Sequence, residues 1–241
     1  MLVAPSLDVL AQAAVETLRI SLPTLVDAAQ GRLTSQVCDE RLDSWSRRLL
    51  TQARIQLDVK GREHIVHGEP FVVMSNHQSH YDIPVLFQAL HVPLRMVAKK
   101  EIFRIPFMAG AMRAAGFVEI DRKNPSSAIQ TLRNAHVQLG DAISIWIAPE
   151  GTRSKTGRLG RFKKGGFHLA LHAGMRILPV TIDGTRFALP AGGTTVTKGA
   201  IAHVTIAAPV DPSTYGPAAL RELIDDVRTA IGAALPEALR V

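Results

Sequence analysis

The sequence predicts an α/β fold: a mixed, largely parallel sheet flanked by helices, with a helical segment at the N-terminus. Three observations carry that expectation. From residue 71 onward, short β-rich runs alternate with longer helical patterns, as strand–helix layering requires. Residues 142–147 form a near-continuous apolar run, the mark of a strand buried on both faces. In the first 55 residues, apolar side chains recur at helical spacing instead.

Within that first segment Leu7, Leu10, Ala14 and Leu18 recur at helical spacing, and so do Leu42, Trp45, Leu49 and Ala53. Arg41, Arg47, Arg48 and Arg54 give the second helix a basic side. Two readings of residues 1–55 stand side by side. A basic amphipathic helix can lie in a membrane surface, or both helices can simply pack on the α/β domain formed by residues 56–241. In that domain the pattern places strands at 71–75, 94–98, 117–120, 142–147, 177–182 and 201–207. Helices are expected at 83–90, 105–115, 126–139, 167–172 and 218–234.

Charge narrows the range of partners. Twenty-eight Lys and Arg against 21 Asp and Glu leave a net +7, which favours phosphate-bearing substrates, anionic lipid or nucleic acid. An aromatic content of 5% speaks against a stacking platform for single strands, and no nucleic-acid motif is present, so nucleic acid is not an expected partner. The single cysteine, Cys38, cannot form an internal disulfide or a cysteine metal cluster, which makes a reducing cytoplasm the default. The N-terminus lacks the basic start and continuous apolar core of a signal peptide. No uncharged apolar stretch approaches the roughly 20 residues that cross a bilayer, so any membrane association is expected to be peripheral.

Chemistry concentrates where strands are expected to end. Directly after the run 71–75 stands Asn76-His77-Gln78-Ser79-His80-Tyr81-Asp82. Five residues of helix would set His77 and Asp82 about 140° apart, so they cannot share one helical face. With His77 at the strand exit and Asp82 in the first helical turn, they can meet. A carboxylate on one imidazole nitrogen fixes the tautomer and leaves the other nitrogen to take a proton. His80 is a neighbour of that pair, whereas His168 and His172 fall in an expected helix and read as packing residues. Ser79 and Ser154 lack the surroundings of a nucleophile elbow.

A second cluster, Pro149-Glu150-Gly151-Thr152-Arg153-Ser154, follows the buried strand, at the edge where open α/β sheets bind ligands. Arg153 offers a planar fork suited to phosphate. Lys155, Arg158, Arg161, Lys163 and Lys164 extend the basic stretch. Lys99 and Lys100 end one expected strand, and Asp121 and Arg122 another.

These residues resemble the glycerolipid acyltransferases, in particular the 1-acylglycerol-3-phosphate O-acyltransferases. Asn76 to Asp82 is similar to that family's Asn-His-(X)4-Asp signature. Lys99 to Gly110, continuing through Gly116 to Arg122, looks like its second block, Pro149 to Ser154 its third, and Ile177 to Val180 its fourth. The four blocks appear in order over roughly residues 60 to 190. Ala148 and Ile102 depart from the usual residues, but both are packing positions.

The resemblance implies acyl transfer from a thioester, acyl-CoA or acyl carrier protein, to the free hydroxyl of lysophosphatidic acid. The product would be phosphatidic acid for phospholipid synthesis. His77 would be the general base and Asp82 its orienting carboxylate. Arg122, Glu150, Gly151, Thr152 and Arg153 would bind the acceptor phosphate, with Lys99 adding charge. A carboxylate aimed at phosphate would repel it, so Glu150 is expected to orient Arg153 or a backbone amide. The segment 105–117 either borders the acyl chain or is plain core. No metal or cofactor is implied beyond the acyl donor itself, and the place of work would be the cytoplasmic face of the cell membrane. The same chemistry on another acceptor (glycerol 3-phosphate, a lysophospholipid or an amino-acid lipid) stays open. So does a non-catalytic module that docks on anionic lipid, although such a module needs neither His77 nor Asp82.

Overall fold

A computed structural model describes residues 8–121, 131, 142–216 and 218–240. Two antiparallel-packed helices lead, α1 (Asp8–Ala29) and α2 (Ser35–Gln52). Then follow β1 (Gln56–Lys60), β2 (Val72–Ser75), α3 (Asp82–Leu90), β3 (Leu94–Lys99), α4 (Met108–Ala114), β4 (Val118–Ile120) and β5 (Ser144–Ile147). The chain continues through α5 (Gly165–Ala173), β6 (Ile177–Asp183), α6 (Thr185–Ala188), β7 (Ile201–Ile206) and α7 (Leu220–Ala233). Apart from residue 131, which is helical, the helix expected at 126–139 lies outside the described residues, as does Arg122.

Seven described strands form one sheet in the order β1-β7-β6-β2-β5-β3-β4. Every pairing is parallel except β6 with β7. The sheet is therefore mixed and largely parallel, as expected. β2 and β5 are central and buried along their whole length, which explains their unbroken apolar composition. Val73 and Trp146 face one core, shared with α2 and α3. Val72, Met74, Ile145 and Ile147 face the other, against α5 and α7.

β1 was not among the expected strands. It pairs with β7 at the sheet edge, and only Leu57 and Val59 alternate with Gln56, Asp58 and Lys60. Two apolar residues are too few to mark a strand by pattern alone.

The first helix departs from expectation in its orientation. It buries Val9, Glu16, Ser21 and Thr24. It exposes Val15 (62%), Leu18 (43%), Leu22 (48%) and Val26 (51%). Thr17, Ser21 and Thr24 each donate a hydroxyl hydrogen bond to the carbonyl one turn back, at 2.8, 2.7 and 2.7 Å, so their inward side carries no unmet donor. The basic side of α2 is divided: Arg41 and Arg48 turn toward α1, whereas Arg47 and Arg54 are exposed. Arg48 pairs with Glu16 and Arg41 with Asp27 across the two helices, while Arg47 pairs with Asp43 on its own helix.

Among the described residues α1 is also one helix long and apolar enough to cross a membrane, by length and composition only. The expectation of no such stretch asked for an uncharged run, and Glu16 and Arg19 interrupt this one. In the fold α1 packs against α2 and α4.

Candidate active site

The site is assembled at the carboxyl ends of β2 and β5. Leaving β2, the backbone turns at Asn76, whose side-chain amide straddles β6. Its Nδ2 donates to the Ile182 carbonyl at 2.7 Å and its Oδ1 accepts the Ile182 N–H at 2.8 Å. His77 follows, and α3 begins at Asp82. The strand-to-helix junction brings the two side chains together, with His77 Nδ1 2.7 Å from Asp82 Oδ2.

Asp82 is fully buried. Its Oδ2 also accepts the backbone N–H groups of Gln78 at 2.7 Å and Ser79 at 2.9 Å, while Oδ1 accepts the Thr185 hydroxyl. A buried carboxylate needs donors in place of water, and here four supply them. The His77 ring stands edge-on to Trp146, with centroids 5.5 Å apart and planes at 85°. Trp146 is itself fixed by its Nε1–H donating to Ser75 Oγ at 2.9 Å. Among the described residues nothing bonds His77 Nε2. The ring is thus clamped on one nitrogen and available on the other.

The loop after β5 holds the backbone of His77. Glu150 Oε1 accepts the His77 N–H at 3.0 Å and Oε2 accepts the Gly160 N–H at 2.8 Å. Ser154 N–H donates to the His77 carbonyl at 2.7 Å. Of the two destinations expected for Glu150, the structure supplies backbone amides and not Arg153. Burial, partly offset by those two N–H groups, pushes the Glu150 pKa up.

A cavity of about 550 Å³ opens beside the pair, within the range of roughly 300–1,000 Å³ usual for ligand sites. His77, His80, Lys99, Thr152 and Arg153 all line it. Glu150 and Gly151 do not. Gly151 has φ +72, and a side chain there would run into Lys163. His80 stands exposed at the rim. Even so, protein packed around its ring, and next the Arg153 guanidinium, lower its pKa to about 4, which keeps it neutral near pH 7.

Most of the remaining lining is apolar. It comes from α1 and α2 (Ala13, Ile20, Leu42, Trp45) and from the segment around α4 (Ile105, Met108, Ala111, Met112). The segment 105–117 therefore does border the cavity. The contribution of the N-terminal helices to its wall was not foreseen. Nor were Trp146 and Thr185, whose residue types carry no signal of such a role.

The family model described as Acyltransferase matches residues 56–183. The 1-acyl-sn-glycerol-3-phosphate acyltransferase LPAT1, chloroplastic, of Arabidopsis thaliana is 35% identical over 159 residues, 66% of this chain and 44% of that protein. The 1-acyl-sn-glycerol-3-phosphate acyltransferase alpha of Homo sapiens is 35% identical over 130 residues, 54% of this chain and 46% of that protein. The chain thus spans about half the length of these curated relatives. A crystal structure of the 1-acyl-sn-glycerophosphate (LPA) acyltransferase, PlsC, from Thermotoga maritima superposes with a TM-score of 0.67 at 26% identity. That match covers 89% of this chain and 94% of the other. Because the family match runs from β1 to the end of β6 and takes in both loops that hold His77, more than half of the sequence places this protein in the acyltransferase family.

Proposed function

We propose that the protein transfers a fatty acyl group from an acyl thioester, acyl-CoA or acyl carrier protein, to the free hydroxyl of 1-acylglycerol 3-phosphate, giving phosphatidic acid. The observation that carries this reading is His77, held through Nδ1 by the buried Asp82 and presented to an apolar cavity that also contains Arg153. The names of the relatives at 35% identity support the acceptor.

In this reading Nε2 of His77 takes the proton of the acceptor hydroxyl as its oxygen bonds to the thioester carbonyl carbon. The carbon–sulfur bond then breaks, and the imidazolium returns the proton to the departing thiolate. Asp82 holds the tautomer and balances the transient charge. Arg153, Thr152 and Lys99 hold the acceptor phosphate, and the apolar wall takes hydrocarbon. Neutral His80 adds no charge to this cluster.

The reaction is placed at a membrane, on its cytoplasmic face. α1 buries Glu16, Ser21 and Thr24 and turns Val15, Leu18, Leu22 and Val26 outward, a stripe that suits a membrane surface. Ile105 (47% exposed) and Phe107 (57%) extend the apolar surface next to α4.

The test is thiol release from palmitoyl-CoA by the purified protein, with and without lysophosphatidic acid, beside His77→Ala. Acceptor-dependent release that disappears in a folded variant is the expected result. Equal release with and without acceptor would replace the reading with a thioesterase.

A further inference from the structure

We propose that Thr185 is a positioning residue for the reaction, acting on His77 through Asp82; the inference rests on the reading of His77 as the base. Thr185 is fully buried, and its hydroxyl donates to Asp82 Oδ1. The other carboxylate oxygen, Oδ2, already carries His77 and the N–H groups of Gln78 and Ser79. Turning the carboxylate about its Cβ–Cγ bond would carry Oδ2 off those three donors and Oδ1 off the Thr185 hydroxyl. Among the described residues Thr185 is the donor to Oδ1, so it satisfies the second buried oxygen and holds the carboxylate against that turn from the opposite end. The orientation in which Oδ2 meets His77 Nδ1–H is thereby held at both oxygens.

The surroundings of Thr185 are built for this. The turn from β6 into α6 passes through Gly184 at φ +97, where a side chain would lie 2.0 Å from the Ile201 carbonyl oxygen. No other residue fits there. Gly184 N–H donates to Asp183 Oδ1 at 2.9 Å, and Asp183 pairs with Arg186. Arg186 then reaches back to Gln78 Oε1 at 3.1 Å. Farther along, Leu189 accepts the Ser79 hydroxyl at 2.7 Å. Together with the Ile182–Asn76 pair, the stretch 182–189 meets the loop 76–82 at four places. Thr185 is the one of these contacts that reaches the carboxylate. It also lies beyond residue 183, where the family match ends.

The experiment compares Thr185→Val, which keeps the shape and removes the hydroxyl, with Thr185→Ser, which keeps the hydroxyl. In Thr185→Val we expect kcat to fall roughly 10-fold, the low end of what one hydrogen bond to a charged group supplies, with KM within about twofold. Thr185→Ser should stay within about twofold of the parent in both. The ¹⁵N shifts of the His77 ring, which report the nitrogen carrying the proton, should show one tautomer in the parent and the serine variant and a mixture in the valine variant.

A valine variant that matches the parent in kcat and in ring shifts overturns the inference. So does a serine variant that falls as far as valine, because shape and not the hydroxyl would then matter. If Thr185→Val does not fold, Thr185→Ala takes its place with the same expectations. Should the parent itself transfer no acyl group, the reading of the site fails, while the ring shifts still decide the role of Thr185.

Discussion

Glu150 accepts the backbone N–H of His77 at 3.0 Å with one carboxylate oxygen and that of Gly160 at 2.8 Å with the other. A residue in a strongly basic loop therefore serves as a brace for the imidazole-bearing backbone. It does so without lining the cavity.

Replacing Glu150 with Gln separates bracing from phosphate binding. A carboxamide keeps one acceptor and turns its NH2 toward a backbone N–H, leaving that buried donor unmet at a cost of about 1–3 kcal/mol. Denaturant unfolding should show that loss, and kcat should fall more than the acceptor KM rises. A large rise in KM alone would return Glu150 to the phosphate.

The same residue gives stability a pH signature. Burial raises the Glu150 pKa above its ordinary 4.5. A carboxyl raised on folding contributes fully below the unfolded value, and that contribution is lost as pH climbs through the folded one. From pH 4.5 toward neutrality, the parent should therefore lose stability relative to Glu150→Gln. Unfolding free energies of the two proteins measured across that range check it, and a constant difference would be the contrary result.

Arg153→Ala should raise the KM for lysophosphatidic acid about 10-fold or more, as the loss of a charge-assisted contact implies. Lys99→Ala should act in the same direction. A monoacylglycerol acceptor, which carries no phosphate, should respond to neither substitution. Steady-state kinetics with both acceptors make the comparison.

On the outer face of α1, Leu22→Glu should abolish co-sedimentation with anionic phospholipid vesicles. Because Leu22 is 48% exposed, folding stability should change by no more than about 0.5 kcal/mol. Retained vesicle binding would move the attachment surface elsewhere.

Arg95, 1% exposed, is held by Asp39 of α2 and by the carbonyls of Leu94 and Ala115. Asp39→Ala leaves that charge buried without its carboxylate, and the expected loss of stability is about 3 kcal/mol. Adding Arg95→Met should recover part of it, as chemical denaturation of the double variant would show.

What could be read beforehand depended on how local the signal was. The His77–Asp82 contact was legible because a strand-to-helix junction brings positions five apart together, and both residue types announce their chemistry. The Glu150 brace was only half legible, since its partners are backbone groups that every residue carries. Thr185 meets Asp82 across 103 positions, a tertiary pairing between a common residue and a distant one. In α1 the spacing of Leu10, Ala14 and Leu18 correctly gave a helix. Periodicity shows that a helix has two faces; it does not say which one meets the protein. Ala14 and Leu18 are in fact exposed.

The cavity beside His77 takes one wall from α1 and α2 and the other from the sheet and α4. The first of these two helices, α1, also carries the outward apolar stripe. Fatty-chain selectivity and lipid attachment would then be inherited together, because a substitution that tilts α1 for a different bilayer also reshapes the container for the chain. Exchanging this helical pair between relatives should therefore transplant both traits at once, whereas a version cut back to residues 56–241 would keep the imidazole and carboxylate and lose part of the vessel they serve.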